Sequence, residues 1–416
     1  MSAPQILVAR DMRPTGEELA AAFADGITAE GVDVVDLGLG STDLLYFAAG
    51  RLDAPGAMFT ASHNPAQYNG IKLCRQGAAP VGEDTGLREI RSMVEESSGA
   101  ATAGTTGTVS KMDLLGEYAA HVRSFIDQGV LGSASRLSVI ADVANGMGGL
   151  VVPAAFEGLP ADLEMMYPEL DGTFPNHEAD PTVPANLNDL RARVVTAGAD
   201  MGLGFDGDAD RAVVVDETGS TLSGSTVTCM LAQSLLRGAP GAAVVHNLIC
   251  SRAVAEVVTE CGGRPIRSRV GHSFIKAVMA ETDAVFGGEH SAHYYFRDNY
   301  RADSGLIASV LVLGLMAETG KPLSELRKPF ERYAASGEIN TKVSDPAATI
   351  ERVAQSFAGV SQDRLDGLTV DSGSWWFNLR PSNTEPLLRL NLEASNEAEC
   401  SEKSEYVLGL IREDEA

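Results

Sequence analysis

One serine and three aspartates stand out by type and spacing. Ser62 lies in Thr60-Ala61-Ser62-His63-Asn64-Pro65, and Asp206, Asp208 and Asp210 alternate along Gly204-Phe205-Asp206-Gly207-Asp208-Ala209-Asp210-Arg211. Ser62 follows the apolar run Ala57-Met58-Phe59 and precedes turn-forming residues, so it is expected on a loop leaving a strand. Such a loop presents a hydroxyl, and its backbone N–H groups can hold phosphate oxygens. His63 and Lys72 could supply a cation or move a proton beside it. A capped turn with a solvent-facing serine is the competing reading.

The three aspartates repel one another unless something draws them together. A hard divalent cation taking one oxygen from each does so, and Gly207 lets the backbone bend toward it. Three oxygen ligands on a small loop leave room for a phosphate oxygen, which suits Mg²⁺. The pattern starts like an EF-hand loop, with Glu217 at the twelfth position, but Arg211 stands where that loop needs Gly. Its flanks, Met201 to Phe205 and Ala212 to Val215, also read as strands rather than helices, so an EF-hand is excluded. A solvated acidic turn is the alternative.

Two further runs follow, the first weak taken alone and the second set against an ordinary hydrophilic hairpin turn. In Gly287-Gly288-Glu289-His290-Ser291-Ala292-His293, alternation along an extended stretch puts Glu289, Ser291 and His293 on one side. There a carboxylate and a hydroxyl could hold two sugar hydroxyls, and His293 could transfer a proton. In Arg380-Pro381-Ser382-Asn383-Thr384-Glu385-Pro386, an Arg, two hydroxyls and an amide on a turn after an apolar strand make a phosphate clamp.

The elements that must position these residues alternate between strand and helix. Ile6 to Ala9, Val32 to Val35, Leu137 to Asp142 and Ala242 to His246 read as strands. Gly16 to Glu30, Asp113 to Asp127, Gly149 to Phe156 and Arg252 to Cys261 read as helices, so α/β layers with largely parallel sheets are expected. No repeat of fixed period is visible. Ser97 to Ser110, small and polar, is expected to be a surface loop. Composition breaks divide the 416 residues into four expected domains, 1–134, 135–220, 221–334 and 335–416. The last contains the strand-like runs Trp375 to Leu379 and Leu387 to Leu392.

The formal net charge of −25 argues against nucleic acid or an anionic membrane as partner. It also requires that a phosphate substrate be met locally by Arg, Lys, backbone amides and metal. No run approaches a membrane span, no secretory leader is visible, and the five scattered cysteines suit a reducing cytoplasm.

Together and in this order, TASHNP, DGDADR, GEHS and RPSNTEP resemble the phosphoserine, metal, sugar and phosphate loops of the α-D-phosphohexomutase superfamily. GHSFIK (Gly271 to Lys276), HYYFRDNYRADSG and Asn383 are most similar to its bacterial phosphomannomutase branch. The resemblance implies three similar α/β domains with mixed sheets and a smaller C-terminal α+β domain around a central cleft. It implies Ser62 as the phosphorylated residue, with Asp206, Asp208 and Asp210 binding Mg²⁺ and the phosphoserine completing the shell. Glu289 and Ser291 would bind sugar hydroxyls, and Arg380, Ser382, Asn383 and Thr384 the phosphate not being transferred. Lys72 and His293 would do acid/base work, with Arg211 beside the phosphoserine. The implied reaction interconverts mannose 6-phosphate and mannose 1-phosphate through a hexose 1,6-bisphosphate. A phosphoglucomutase, a dual-specificity enzyme or a glucosamine counterpart are alternatives.

In one respect the sequence departs from that pattern. The superfamily's Tyr-Asp-x-Arg-Gly-like segment is not found ahead of Arg10-Asp11-Met12-Arg13, so Arg13 is not its arginine. The expectation is a first sheet short of an edge strand and a poorly active or poorly stable chain; a sheet edged by Ile6 to Ala9 is the competing idea, and a catalytically silent sugar-phosphate-binding protein a further alternative.

Overall fold

The computed structural model describes residues 4–96, 105–127, 135–382 and 387–412. Three of its four sheets repeat one topology. In the first, β1 (Gln5–Arg10) pairs in parallel with β2 (Asp33–Leu39) and β3 (Gly56–Phe59), and β3 pairs antiparallel with β4 (Ile71–Cys74). The second repeats this with β6 (Leu137–Asp142), β7 (Ala161–Met166), β8 (Met201–Phe205) and β9 (Ala212–Asp216). The third repeats it with β10 (Ala243–Asn247), β11 (Arg264–Ser268), β12 (Phe286–Gly288) and β13 (Tyr294–Phe296). The sheets are therefore mixed, because each parallel trio ends in one antiparallel hairpin. The duplication is plain in the topology although no sequence period reveals it.

Two differences from expectation lie in the first sheet. Ile6 to Ala9 is not an edge, since β1 is flanked on both sides and the edges are β4 and β5 (Val109–Lys111). The end of the supposed surface loop thus forms a short strand parallel to β2. Its residues are all exposed, so no apolar alternation announced it. Residues 97–104 of that run lie outside the described residues.

Helices cover the sheets: α1 (Gly16–Ala29), α2 (Thr42–Arg51), α3 (Leu87–Glu96), α4 (Leu115–Arg123), α5 (Gly148–Phe156), α6 (Asn188–Ala197), α7 (Gly224–Gly238), α8 (Arg252–Glu260), α9 (His272–Thr282) and α10 (Gly305–Thr319). Serine caps start several of them. Ser41, Ser223 and Ser304 accept from Leu44, Thr226 and Ile307 N–H groups and so satisfy orphan donors of α2, α7 and α10. α4 is shorter than the expected Asp113 to Asp127.

The fourth sheet is antiparallel throughout, in the order β14 (Ala334–Lys342), β18 (Leu387–Ala394), β17 (Trp375–Pro381), β16 (Leu368–Asp371), β15 (Ser361–Asp363). It packs on α11 (Pro346–Ser356) and α12 (Glu397–Arg412) around its own core of Val353, Phe357, Phe377, Leu390 and Val407. A single larger core runs through the other three sheets, from Leu7 through Val151 and Phe205 to Leu313. Among the described residues no single helix is long and apolar enough to cross a membrane.

Candidate active site

Each α/β unit carries its chemistry-bearing loop at the same place, the hairpin from the third strand to the antiparallel fourth. The β3–β4 loop holds Ser62, the β8–β9 loop Asp206 to Arg211, and the β12–β13 loop Glu289 to His293. The third strand starts the loop at the carboxyl end of the parallel trio, where open α/β sheets place their sites. The antiparallel return leaves short loops in the second and third units, 206–211 and 289–293, and a longer one, 60–70, in the first.

Ser62 has a left-handed backbone, φ +50°, held by its N–H bonding Thr60 Oγ1 at 2.9 Å. That amide is therefore already engaged. Below the loop lies Arg13, fully buried and paired to Asp11 at 3.2 Å. Its guanidinium donates to four carbonyls of the loop: Pro65 and Tyr68 at 2.9 Å, Ser62 at 2.8 Å and Asn64 at 2.7 Å. It also stacks 5.1 Å from the Phe174 ring of the second unit. One planar cation thus fixes the loop, using the fork of donors that Lys lacks.

The acidic loop closes on the serine. Ser62 Oγ donates to Asp206 Oδ2 at 2.8 Å, and Arg211 Nε donates to the same oxygen at 2.9 Å. Arg211 Nη2 is 3.4 Å from Ser62 Oγ, and His63 Nδ1 is also 3.4 Å from it. Gly207 makes the approach possible, because a Cβ there would sit 2.5 Å from the Ser62 carbonyl oxygen. Lys72 Nζ lies 2.6 Å from Asp208 Oδ2 and 2.8 Å from Asp210 Oδ2. Thr42, at the start of α2, donates to Asp208 Oδ2 at 2.5 Å.

Burial is the main force on these carboxyls. It drives Asp206 well above the carboxylate range, against the pull of Arg211 and helped by Asp210 and Asp208. For Asp210, burial is outweighed by Lys72 and then His293, which bring it down to about 2. Burial would lower Lys72, but Asp208 and Asp210 hold it well above its ordinary value, so it is a cation here.

The residues present fit a divalent cation. Oxygens of Asp206, Asp208 and Asp210 lie within 4.8 Å of one another. Asp208 Oδ1 and Asp210 Oδ1 are buried with no hydrogen-bond partner among the described residues. Buried carboxylate oxygens left without donors are costly unless an ion meets them. Thr42 and Lys72 occupy the other oxygens, and among the described residues Asp210 Oδ1 meets only the His293 ring, 3.6 Å away.

The Glu289 to His293 stretch is not extended, which corrects the alternation expected there. It is a tight turn: Glu289 N–H bonds His293 O at 3.0 Å and Ala292 N–H bonds Glu289 O at 3.2 Å, with Ala292 at φ +64°. Glu289 turns inward, accepting from Asn247 at 3.0 Å, Gly271 N–H at 3.2 Å and Tyr295 OH at 2.5 Å. Ser291 Oγ meets His293 Nδ1 at 3.2 Å, and His293 Nε2 faces Asp210 at 3.6 Å and Asp303 at 4.0 Å. His290 points elsewhere, toward Ser225 Oγ at 3.3 Å.

Ser62, Lys72, the three aspartates, Arg211 and His293 are thus one network, with Ser291 joined through His293. Arg380 is not in it. It lies on the fourth sheet, 2.9 Å from Glu338, and Ser382 N–H closes the β17–β18 hairpin on Leu387 O. Asn383 and Thr384 lie outside the described residues. Reasoning from sequence missed Arg13, Thr42 and the buried pair Lys276–Asp303, 2.8 Å apart. The runs containing Arg13, Lys276 and Asp303 did stand out as motifs, but not what these side chains touch.

Four family models match the chain in order. They are the phosphoglucomutase/phosphomannomutase alpha/beta/alpha domains I, II and III, over residues 1–100, 116–219 and 223–333, and the C-terminal domain over 338–407. The chain belongs to the phosphoglucomutase/phosphomannomutase family. It is 39% identical to a phosphomannomutase of Salmonella montevideo, over 98% of this chain and 91% of that one. It is 38% identical, over the same shares, to a protein of Xanthomonas campestris named phosphohexose mutases. A crystal structure of a phosphoglucomutase/phosphomannomutase family protein from Burkholderia thailandensis superposes with a TM-score of 0.87 at 30% identity, covering 99% of this chain and 90% of that one. As a phosphohexomutase the chain is an isomerase that transfers a phosphoryl group intramolecularly. Its phosphohexomutase fold gives each of domains I to III one chemistry-bearing hairpin.

Proposed function

We propose that this phosphohexomutase interconverts mannose 6-phosphate and mannose 1-phosphate, with Ser62 as the phosphoryl carrier. The observation that carries the reading is the Ser62 hydroxyl bonded to one of three clustered aspartates, two of which keep unpartnered buried oxygens. Mannose is favoured because relatives at 37–39% identity are named phosphomannomutase.

Phosphoserine 62 donates its phosphoryl group to the free hydroxyl of the hexose phosphate, giving the 1,6-bisphosphate and a free serine. The bisphosphate turns over, its other phosphate returns to Ser62, and the isomer leaves. Asp206, Asp208, Asp210 and the phosphoserine would hold Mg²⁺, which supplies positive charge against the phosphoryl oxygens. Arg211 adds a fixed cation beside them. Lys72, protonated here, is placed to give a proton or hold an oxygen. His293, between Ser291 and two carboxylates, is the candidate to take one. Glu289 and Ser291 bind sugar hydroxyls in both poses, while Arg380, Ser382, Asn383 and Thr384 hold the other phosphate. The five free cysteines suit a reducing cytoplasm as the compartment.

A dual-specificity mutase is the second reading, because the relative in Xanthomonas campestris is named for phosphohexoses at large. Turnover of mannose 1-phosphate against glucose 1-phosphate and glucosamine 1-phosphate decides between them. Transfer of label from a hexose bisphosphate to Ser62 tests the carrier. A labelled residue other than Ser62 would refute the assignment.

A further inference from the structure

A serine that gives up a phosphoryl group and takes one back must stand in the same place at both moments. The backbone of Ser62 does not favour that place by itself. Its φ of +50° lies in the left-handed region, which a residue with a side chain enters at a cost. The hold comes from outside, and it reaches both of its peptide groups. On the amino side, the Ser62 N–H donates to Thr60 Oγ1 at 2.9 Å, and the Thr60 hydroxyl is hydrogen-bonded to Asp11. On the carboxyl side, the Ser62 carbonyl accepts from Arg13 Nη2 at 2.8 Å. Asp11 and Arg13 are themselves joined, Nε to Oδ2 at 3.2 Å and the Arg13 N–H to Oδ1 at 2.9 Å. One buried ion pair just after β1 therefore governs both ends of Ser62.

The guanidinium has no donor left over. Nε goes to Asp11, Nη1 to the carbonyls of Pro65 and Tyr68, and Nη2 to those of Ser62 and Asn64. An ammonium has three donors on one atom and cannot reproduce that set. Domain II closes the arrangement from the far side. The Phe174 ring lies 5.1 Å from the guanidinium carbon, set there by a left-handed backbone of its own, φ +52°, and by its N–H bond to Asp171 O at 3.0 Å. Gly172 passes so close that a Cβ would sit 2.6 Å from the Arg13 Cα. Phe174 also forms a small apolar cluster with Ala144 and Ala179, against which Met12 and Ala66 pack. Met12 separates Asp11 from Arg13, and Ala66 belongs to the serine loop. Domain II thus touches both the support and the loop that it supports. A ring over the guanidinium keeps water off that face, so its hydrogen bonds to the loop act in a dry setting.

We propose that Arg13 is a positioning residue for phosphoryl transfer: seated on Asp11 and covered by Phe174 of domain II, it sets where the Ser62 hydroxyl stands against the aspartate loop. Its donors end on Asp11 and on backbone carbonyls, so it acts through Ser62 and not on a reacting atom. The proposal rests on the reading of Ser62 as the carrier, and adds that the rate depends on the seam between domains I and II. Misplacing a reacting group by ~1 Å can cost about 10²-fold in rate. The sugar loop stays where it is, so the loss falls on kcat and not on KM.

The test uses the full chain, Arg13→Lys and Phe174→Leu, each checked for melting temperature and folded fraction. Two quantities are read: transfer of label from a hexose bisphosphate to Ser62 in a single turnover, and steady-state kcat and KM for mannose 1-phosphate. Arg13→Lys keeps a charge for Asp11 but loses the fork, and should slow both transfer and kcat ~100-fold without raising KM. Phe174→Leu keeps an apolar contact but loses the ring, and should slow them by about tenfold in the same pattern. A merely structural role would lower the melting temperature and the folded fraction, yet leave transfer per folded molecule unchanged. Transfer by Arg13→Lys within about twofold of the parent chain, per folded molecule, overturns the proposal, as does a raised KM with kcat kept. If Arg13→Lys does not fold, Phe174→Leu decides: slowed transfer supports the proposal and parental transfer overturns it. Absence of label from Ser62 in the parent chain itself would refute the carrier reading, and this proposal with it.

Discussion

Domain III meets domain I and domain IV across two seams that are built differently. Toward domain I the ties are buried. Asp43 of α2 accepts hydroxyls from Ser41, from Tyr118 of α4 and, at 2.7 Å, from Ser304 at the start of α10. Lys276 of α9 is ion-paired to Asp303 and lies 3.7 Å over the Tyr46 ring of α2. Toward domain IV the ties are partly exposed ion pairs. Arg252 lies 3.4 Å from Asp371, and Arg267 lies 2.5 Å from Asp363. Two cavities of about 230 and 330 Å³ lie between them. The apolar core runs through domains I to III but not into domain IV. On the proposed function, the reacting groups would sit where geometry is fixed and the clamp where a hinge costs little, and a substrate that turns over between two poses would need both.

If the fixed side carries the rate, the largest effects belong there. Ser62→Ala should lose nearly all turnover with bisphosphate supplied, since the covalent carrier is gone. Asp206 would keep Arg211 as partner, so melting temperature should hold. Near-normal turnover by the alanine variant breaks the carrier assignment.

Asp208→Asn comes next. It removes one charge from the cluster and weakens the partner of both Lys72 and Thr42. Turnover should fall on the order of 10³-fold, with a higher Mg²⁺ requirement. A Mg²⁺ titration matching the parent chain breaks the metal assignment.

The seams themselves can be compared by stability. Lys276→Met leaves Asp303 buried without its cation, and urea unfolding should show a loss of about 3–5 kcal/mol. Arg267→Ala at the other seam removes a partly exposed pair with Asp363 and should cost about 1 kcal/mol or less. Equal losses would mean the two seams are equally tight, and the division between fixed site and hinged clamp fails.

What the sequence shows of this site is what is local in it. Ser62 and the aspartate triad each stand in one short run, where spacing states the chemistry. Arg13 is different: the four carbonyls it holds lie 49 to 55 residues away, and nothing in its own run names them. Thr42, at the start of a helix that packs on the first sheet, reaches Asp208 of the β8–β9 loop across 166 residues. The sugar loop was misread because its turn puts Ala292, not a glycine, in the left-handed region, so no turn residue marks the bend. β5 was missed because a three-residue exposed edge strand carries no alternation. Of the fold, the alternation of strands and helices was legible. The threefold topology was implied by the motif resemblance but not legible in any sequence period, because pairing order is a property of the folded sheet.

The smallest effect concerns Asp43, and it asks whether the tight seam stores a charge. Three hydroxyls pointing at one carboxylate favour its ionised form, but among the described residues no cation is ion-paired to it. Burial outweighs those hydroxyls and raises its carboxyl to about 7, from an ordinary 3.8. Near pH 6 the folded chain therefore keeps a proton there that the unfolded chain has released. The raised value contributes stability that is complete below the unfolded value and is lost as pH rises through about 7. Between pH 6 and pH 8 the loss is about 1.4 kcal/mol for one group. Other groups titrate in the same window, so the quantity to measure is a difference. Asp43→Asn cannot ionise, and the hydroxyls of Ser41, Tyr118 and Ser304 can rotate to accept from its amide. The unfolding free energy of the parent minus that of the variant should fall by about 1.4 kcal/mol from pH 6 to pH 8. A difference independent of pH would show that the three hydroxyls alone keep Asp43 ionised. The seam would then hold a buried charge at every working pH, and its tightness would come from hydrogen bonds to that charge rather than from a neutral acid.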